Sequence, residues 1–174
     1  MIKYLEAKKI LAKYIKDPNV IKHSEGVSEF AFALANKIKN NHPELGIDCD
    51  KVKIAALLHD IGKDYEDGHE QRSLDILTKE GLGGLAKICK HGFLYLKQPL
   101  VKKEIITPEE IENKIIVYSD MRFKFSPMTI EERLKEAQSG WCGTPEEIKS
   151  KINYLRPIVS KLESELFLLA GEEV

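Results

Sequence analysis

No stretch of this chain is apolar for the 18 or so residues that a membrane-spanning helix needs, and the amino-terminal Met1-Ile2-Lys3-Tyr4-Leu5-Glu6 has no unbroken apolar core of a secretory leader. These absences exclude a helical membrane protein and predict a soluble one. Charge of one sign is also missing. Lys+Arg and Asp+Glu number 27 and 28, so the molecule as a whole has no field to draw in a nucleic-acid polymer or an anionic bilayer, and any anion site must be local. Cysteine is scarce. Cys49, Cys89 and Cys142 are odd in number and form no C-x-x-C pair, which predicts free thiols and a reducing, cytoplasmic setting. Low-complexity segments are absent. With 174 residues, the chain is expected to form one domain that buries roughly 70% of the surface its unfolded form exposes. Glutamine is scarce beside abundant Lys, Glu and Ile, a composition common in heat-adapted proteins.

What is present is helical periodicity. Tyr4, Leu5, Ile10, Leu11, Tyr14 and Ile15 form a first stripe, stopped by Asp17-Pro18-Asn19. A second helix, from about Val20 to Asn40, sets Val27, Phe30, Leu34 and Ile38 on one face, with His23 one turn earlier on the same line. Asp48 or Asp50 caps a third helix through Val52, Ala55, Ala56 and His59, which frays at Gly62 and opens one side of the site to solvent. A fourth is expected from about His69 to Glu80. A short fifth, Leu85 to Lys90, delivers His91. Residues 93–106, with Pro99 and Lys97, Lys102 and Lys103, read as a loop and candidate lid. Thr-Pro-Glu-Glu-Ile occurs at 107–111 and again at 144–148. It combines a hydroxyl cap, proline at the first helical position and acids at the positive helix end. The first copy opens a helix that reaches Asp120, and Ile130 to Gln138 makes a short helix. The second copy opens a last helix whose Ile148, Ile152, Leu155, Val159, Leu162, Leu166 and Leu169 form a seam. Pro157 should kink it near Asn153. The reading is all-α, a single-domain bundle of seven or eight helices without a sheet. The seam is read as core, with a homodimer through this helix as the alternative.

The chemistry lies in the run Ala55-Ala56-Leu57-Leu58-His59-Asp60-Ile61-Gly62-Lys63. A buried helix should not end in an imidazole beside a carboxylate unless both have partners, and one bound cation would supply them. His23 and Asp120 lie on apolar stripes of two other helices, so three helices each turn a metal-capable group inward. Imidazoles with carboxylates suit Mn, Fe, Co, Ni or Zn better than Ca. Lys63, one turn beyond the pair, can reach a phosphate at such an ion, and Arg122, Lys97, Lys102 and Lys103 can hold further phosphates. Salt bridges of Asp60 with Lys63 and of Asp120 with Arg122 are the plainer alternative, disfavoured because such pairs are costly to bury. His42, beside Pro43, is read as surface.

The order His23, His59-Asp60, Asp120, the phrase HDIGK at 59–63 and the Tyr118-Ser119-Asp120 helix together resemble the HD-domain superfamily of metal-dependent phosphohydrolases over about residues 20–125. The resemblance makes residues 1–174 one domain of that type, with a helical extension at about 129–170. It implies that those four residues hold a divalent metal that activates water against a phosphate ester, with Asp60 and Lys63 as the residues nearest the chemistry. His69 and His91 lie between the pair and Asp120. This resembles the branch, including symmetrical dinucleoside tetraphosphatases, in which two further histidines hold a second metal and the HD aspartate bridges the ions. The implied cofactor is one or two divalent transition-metal ions, and the implied substrate a nucleotide or another small phosphate ester. Asp64 is a candidate proton donor to the leaving oxygen. Two other functions fit the pattern: a di-iron oxygenase and a non-catalytic metal-containing module that binds a nucleotide.

Overall fold

The computed structural model describes residues 2–64, 68–91, 107–138 and 143–172. Within them the chain is helical, with no strand and one isolated bridge between Phe123 and Pro127. Eight α-helices run in the order α1 (Tyr4–Tyr14), α2 (Pro18–Asn41), α3 (Cys49–Leu58), α4 (His69–Lys79), α5 (Gly83–Ala86), α6 (Pro108–Arg122), α7 (Ile130–Gln138) and α8 (Pro145–Ala170), with a 3-10 turn at Pro43–Leu45.

Local chemistry sets the boundaries. Asp17 caps α2 by accepting from the Asn19 amide at 2.8 Å, with Pro18 in the first turn, where its missing N–H has no partner to lose. Asp48 caps α3 through the Lys51 amide at 3.0 Å. Both Thr-Pro-Glu-Glu-Ile copies open helices as reciprocal capping boxes: Thr107 with Glu110, and Thr144 with Glu147. Gly171, at φ 70°, closes α8 in the left-handed conformation that an L side chain resists.

Seven of the ten residues of α3 are buried, so this helix is the axis of the bundle. Helix α2 packs along it, α1 covers another side, and α6 and α8 close against α2. One apolar core joins Val27, Ala31 and Ile38 of α2, Val52, Ala55 and Leu58 of α3, Ile115 and Tyr118 of α6, and Val159 and Leu162 of α8. The seam of α8 therefore faces inward, with Ile152, Leu155, Val159, Leu162 and Leu166 buried in the same chain. The helix continues through Pro157, which lies on its exposed side.

Two expected boundaries move. Helix α3 ends at Leu58, and His59 to Asp64 form turns, because Ile61 and Lys63 donate to the carbonyls only three residues back. The fifth helix stops at Ala86 rather than Lys90. There Asn113 of α6 draws the Ile88 and Lys90 carbonyls out of the helical path, its Nδ2 donating to both at 2.8 and 2.6 Å.

Candidate metal centre

Six side chains from five segments meet at the C-terminal end of α3. His23 comes from the first turns of α2, His59 and Asp60 from the turn after α3, and His69 opens α4. His91 follows α5, and Asp120 belongs to the last turn of α6. His23 Nε2 lies 3.2 Å from Asp120 Oδ1 and 3.8 Å from Asp60 Oδ2. His59 Nε2 lies 3.7 Å from each of the same two oxygens. The other Asp60 oxygen, Oδ1, faces His91 Nε2 at 3.2 Å and His69 Nε2 at 3.6 Å. Asp60 thus turns one oxygen to each half of the cluster. His23, His59 and Asp120 form one group with donor atoms within 4.8 Å of one another, and His59, Asp60 and His91 form a second.

Three of the four imidazoles are oriented by backbone. His59 Nδ1 meets the Ala56 carbonyl at 2.7 Å, His91 Nδ1 the Cys89 carbonyl at 2.9 Å, and His23 Nδ1 the Lys124 carbonyl at 3.2 Å. A carbonyl only accepts, so each Nδ1 carries the proton and each Nε2 offers its lone pair to the centre whenever the ring is neutral. His59 Nε2 is fully buried and has no hydrogen-bond partner. Such an atom is expensive to leave unpaired. An ion 2.0–2.2 Å from each donor would space neighbouring ligands by roughly 3.0–3.5 Å, which the 3.2–3.8 Å separations approach. The donor set and the orphaned nitrogen both fit a divalent transition metal.

Burial and charge are in tension here. His59, Asp60 and His91 are buried, with side chains 0%, 4% and 3% exposed, while His23, Asp120 and His69 reach 12%, 18% and 30%. The fraying expected at Gly62 therefore leaves the His-Asp pair itself covered, because α4 folds back over it. Burial alone would raise the Asp60 carboxyl, but the neighbouring His59, His91 and Lys63 outweigh it and hold the group far below the usual carboxylate range. Asp120 follows the same pattern, with burial outweighed by the bond from His23. Burial disfavours the charged form of His91, yet Asp60 lifts it to about 8. His23 is raised by Asp120 against its own burial. His69 moves the other way, lowered by burial and by the Lys63 ammonium.

Two glycines allow the segments to approach. A Cβ on Gly26 of α2 would lie 1.9 Å from the Phe123 ring, so the ring sits directly on the α2 backbone one turn beyond His23. That contact seats the chain after α6, whose Lys124 carbonyl orients His23. A Cβ on Gly62 would meet the His69 carbonyl and the Ser73 amide, both at 2.7 Å. The bare backbone lets α4 dock there, with Gly62 N–H donating to Ser73 Oγ at 3.0 Å, and brings His69 to Asp60. Sequence reasoning missed Gly26, Ser73, Phe123 and Asn113. An isolated glycine inside a helical pattern was the available signal for Gly26.

The expected phosphate-binding residues divide. Lys63 is at the centre and makes the salt bridge with Asp60 that its burial cost had disfavoured, Nζ 3.3 Å from Asp60 Oδ2, because the half-exposed lysine stem brings its ammonium in from the solvent side. Arg122 is committed elsewhere: its guanidinium donates to Glu163 of α8 at 2.7 Å, to the Tyr118 hydroxyl and to the Met128 carbonyl. It joins α6 to α8 and does not pair with Asp120 as the plainer reading had it, because the acid of α8 is within direct reach. Asp64 accepts from the Lys16 amide at 2.8 Å, which gives it a structural partner. Lys97, Lys102, Lys103 and the candidate lid lie outside the described residues, as does Cys142. His42 is at the surface, paired with Glu44 at 2.9 Å. Cys49 and Cys89 are buried free thiols. No helix among the described residues is long and apolar enough to cross a membrane.

The chain is similar to an uncharacterized protein of Methanocaldococcus jannaschii, 30% identical over 119 residues that cover 63% of this chain and 69% of the relative. No solved structure matches it. The HD domain model matches residues 20–121, more than half of the chain and the span that carries all six clustered side chains. With His23, His59, Asp60 and Asp120 converging as they do, the chain belongs to the HD domain family, whose members are generally metal-dependent phosphohydrolases.

Proposed function

We propose that this protein hydrolyses a nucleotide or another small phosphate ester at a dinuclear centre, with Asp60 shared between two divalent ions. His23, His59 and Asp120 would hold one ion, and His69 and His91 the other. The observation that carries the reading is His59 Nε2, wholly buried, unpartnered, and ringed by carboxylate oxygens and imidazole nitrogens. When bound, such ions supply a water acidified toward neutral pH and a clamp for phosphate oxygens. The protein's own part is positioning. The Ala56, Cys89 and Lys124 carbonyls fix three rings, so the centre needs little rearrangement to receive ions. Asp60, ionised and buried, holds the two halves of the cluster at a fixed separation. Lys63, with a side chain 42% exposed, provides a mobile cation at the open edge beside His69, within reach of a phosphate anion. Among the described residues no serine or cysteine side chain hydrogen-bonds to the six ligands, which supports attack by water without a covalent enzyme intermediate.

The test is phosphate release from a panel of mononucleotides and dinucleoside polyphosphates with added Mn, Co, Ni or Fe, comparing the parent with His59→Ala and Asp60→Asn. Release by the parent and loss of at least about a hundredfold in both variants is expected. Equal release by parent and variants contradicts the proposal, and oxygen uptake by the iron-loaded chain without phosphate release would replace it with an oxygenase.

A further inference from the structure

Lys63 does something in this structure that a phosphate-binding residue need not do. Its ammonium stands inside the ligand cluster, 3.3 Å from Asp60 Oδ2 and 3.4 Å from His69 Nε2. Lysine nitrogen only donates, so it occupies one acceptor in each half of the cluster: Asp60 Oδ2, which also faces His23 and His59, and His69 Nε2, which an ion on the His69 side would require. Asp60 is 4% exposed, and a carboxylate so placed demands a counter-charge. The other cations near it are imidazoles, which must be neutral to bind metal. Among the described residues Lys63 is the one ion-pair partner of Asp60 on a long flexible stem, and its side chain is 42% exposed, so it has a direct route to solvent. An ammonium and a divalent ion cannot share these acceptors, since each claims the same lone pair and like charges a few ångströms apart beside a buried carboxylate repel.

We infer that Lys63 is a removable plug: in the metal-free chain its ammonium neutralises Asp60 and covers His69, and arrival of the ion on the His69 side drives it out into solvent. The inference rests on the dinuclear reading above. It follows from linkage that whatever stability Lys63 lends the metal-free chain is withheld from that ion's affinity. The plug also keeps the pre-built ligand cluster folded before metal arrives, and sets a threshold below which the second ion does not load.

The experiment is calorimetric titration of the metal-stripped 174-residue chain with Mn2+ at one fixed pH, with melting curves before and after loading, for the parent, Lys63→Met and Lys63→Arg. Two ions per chain are expected in all three. Lys63→Met should bind the weaker ion on the order of tenfold more tightly than the parent. It should also melt lower than the parent when metal-free and alike when loaded. Lys63→Arg, which keeps the charge, should follow the parent. An unchanged or weaker affinity in Lys63→Met, or an unchanged metal-free melting point, overturns the plug while leaving the centre standing. A parent that takes up one ion overturns both the plug and the dinuclear reading, and one that takes up none removes the metal centre itself.

Discussion

Replacing Gly62 by alanine tests how the second half of the centre is assembled. The added methyl would lie 2.7 Å from the His69 carbonyl and the Ser73 amide and 2.9 Å from Arg72 Cβ, where ordinary contact begins at 3.4 Å. The first two neighbours are backbone, so α4 must retreat as a body by at least the difference, 3.4 − 2.7 = 0.7 Å. Overpacking of this kind costs about 1–3 kcal/mol. The same retreat stretches the 3.0 Å bond from Gly62 N–H to Ser73 Oγ, which adds about 1 kcal/mol. Loss of glycine's freedom in the unfolded chain returns about 0.4–1 kcal/mol. The net expectation is a loss of about 1–3.5 kcal/mol, read as a lower urea midpoint with unchanged slope and a melting point lower by about 3–12 °C. Because α4 carries His69, now 3.6 Å from Asp60 Oδ1, the retreat should also weaken one ion selectively, leaving the group of His23, His59 and Asp120 intact. Ser73→Ala, which removes the bond without the clash, should fall between parent and Gly62→Ala. A Gly62→Ala chain as stable as the parent, with both ions retained, would refute the packing argument.

Other outcomes follow from the same geometry. His91 titrates near 8 in the metal-free chain instead of 6.5. Its bond to Asp60 therefore contributes stability that is complete below about pH 6.5 and lost as pH rises through about 8. At about 1.36 kcal/mol per pH unit the contribution is about 2 kcal/mol, visible as weaker urea resistance of metal-free protein at pH 9 than at pH 6 and absent in His91→Gln. Metal must displace that proton, so affinity for the ion His91 holds should climb as pH rises toward 8 and level off above it, with proton release measured in buffers of different ionisation heat. Cys89 is fully buried and burial pushes its thiol up, so iodoacetamide at pH 8 should spare it in the folded chain and label it in urea, as peptide mass spectrometry would show. Arg122→Ala should destabilise the chain by about 1–3 kcal/mol by leaving Glu163 with the Tyr118 hydroxyl alone and loosening the Met128 turn, while its phosphate affinity relative to the parent stays unchanged once loaded.

Much of this was legible in the residues before any coordinates. Asp17-Pro18, Asp48 and the two Thr-Pro-Glu-Glu-Ile segments are local signals, and each begins a helix where its chemistry says it should. The four ligands were legible because a histidine or aspartate on an apolar stripe conflicts with its surroundings and must be relieved by something. His69 and His91 are placed by tertiary contacts, namely the fold-back of α4 onto Gly62 and the clamp of Asn113 on the chain before His91, which no helical periodicity announces. Arg122 was misread for the same reason. Its partner Glu163 is 41 residues away, on a helix whose seam gave its buried face but not its neighbours.

Metal content per chain is the most direct measure of the central claim, that side chains scattered from residue 23 to residue 120 meet around shared ions. Elemental analysis of protein loaded with Mn2+ and then dialysed should find two ions in the parent, one in His69→Ala, and fewer than one in His59→Ala, whose orphaned nitrogen lies at the junction of both groups. A parent that keeps no metal, or a His59→Ala chain that keeps as much as the parent, would contradict it.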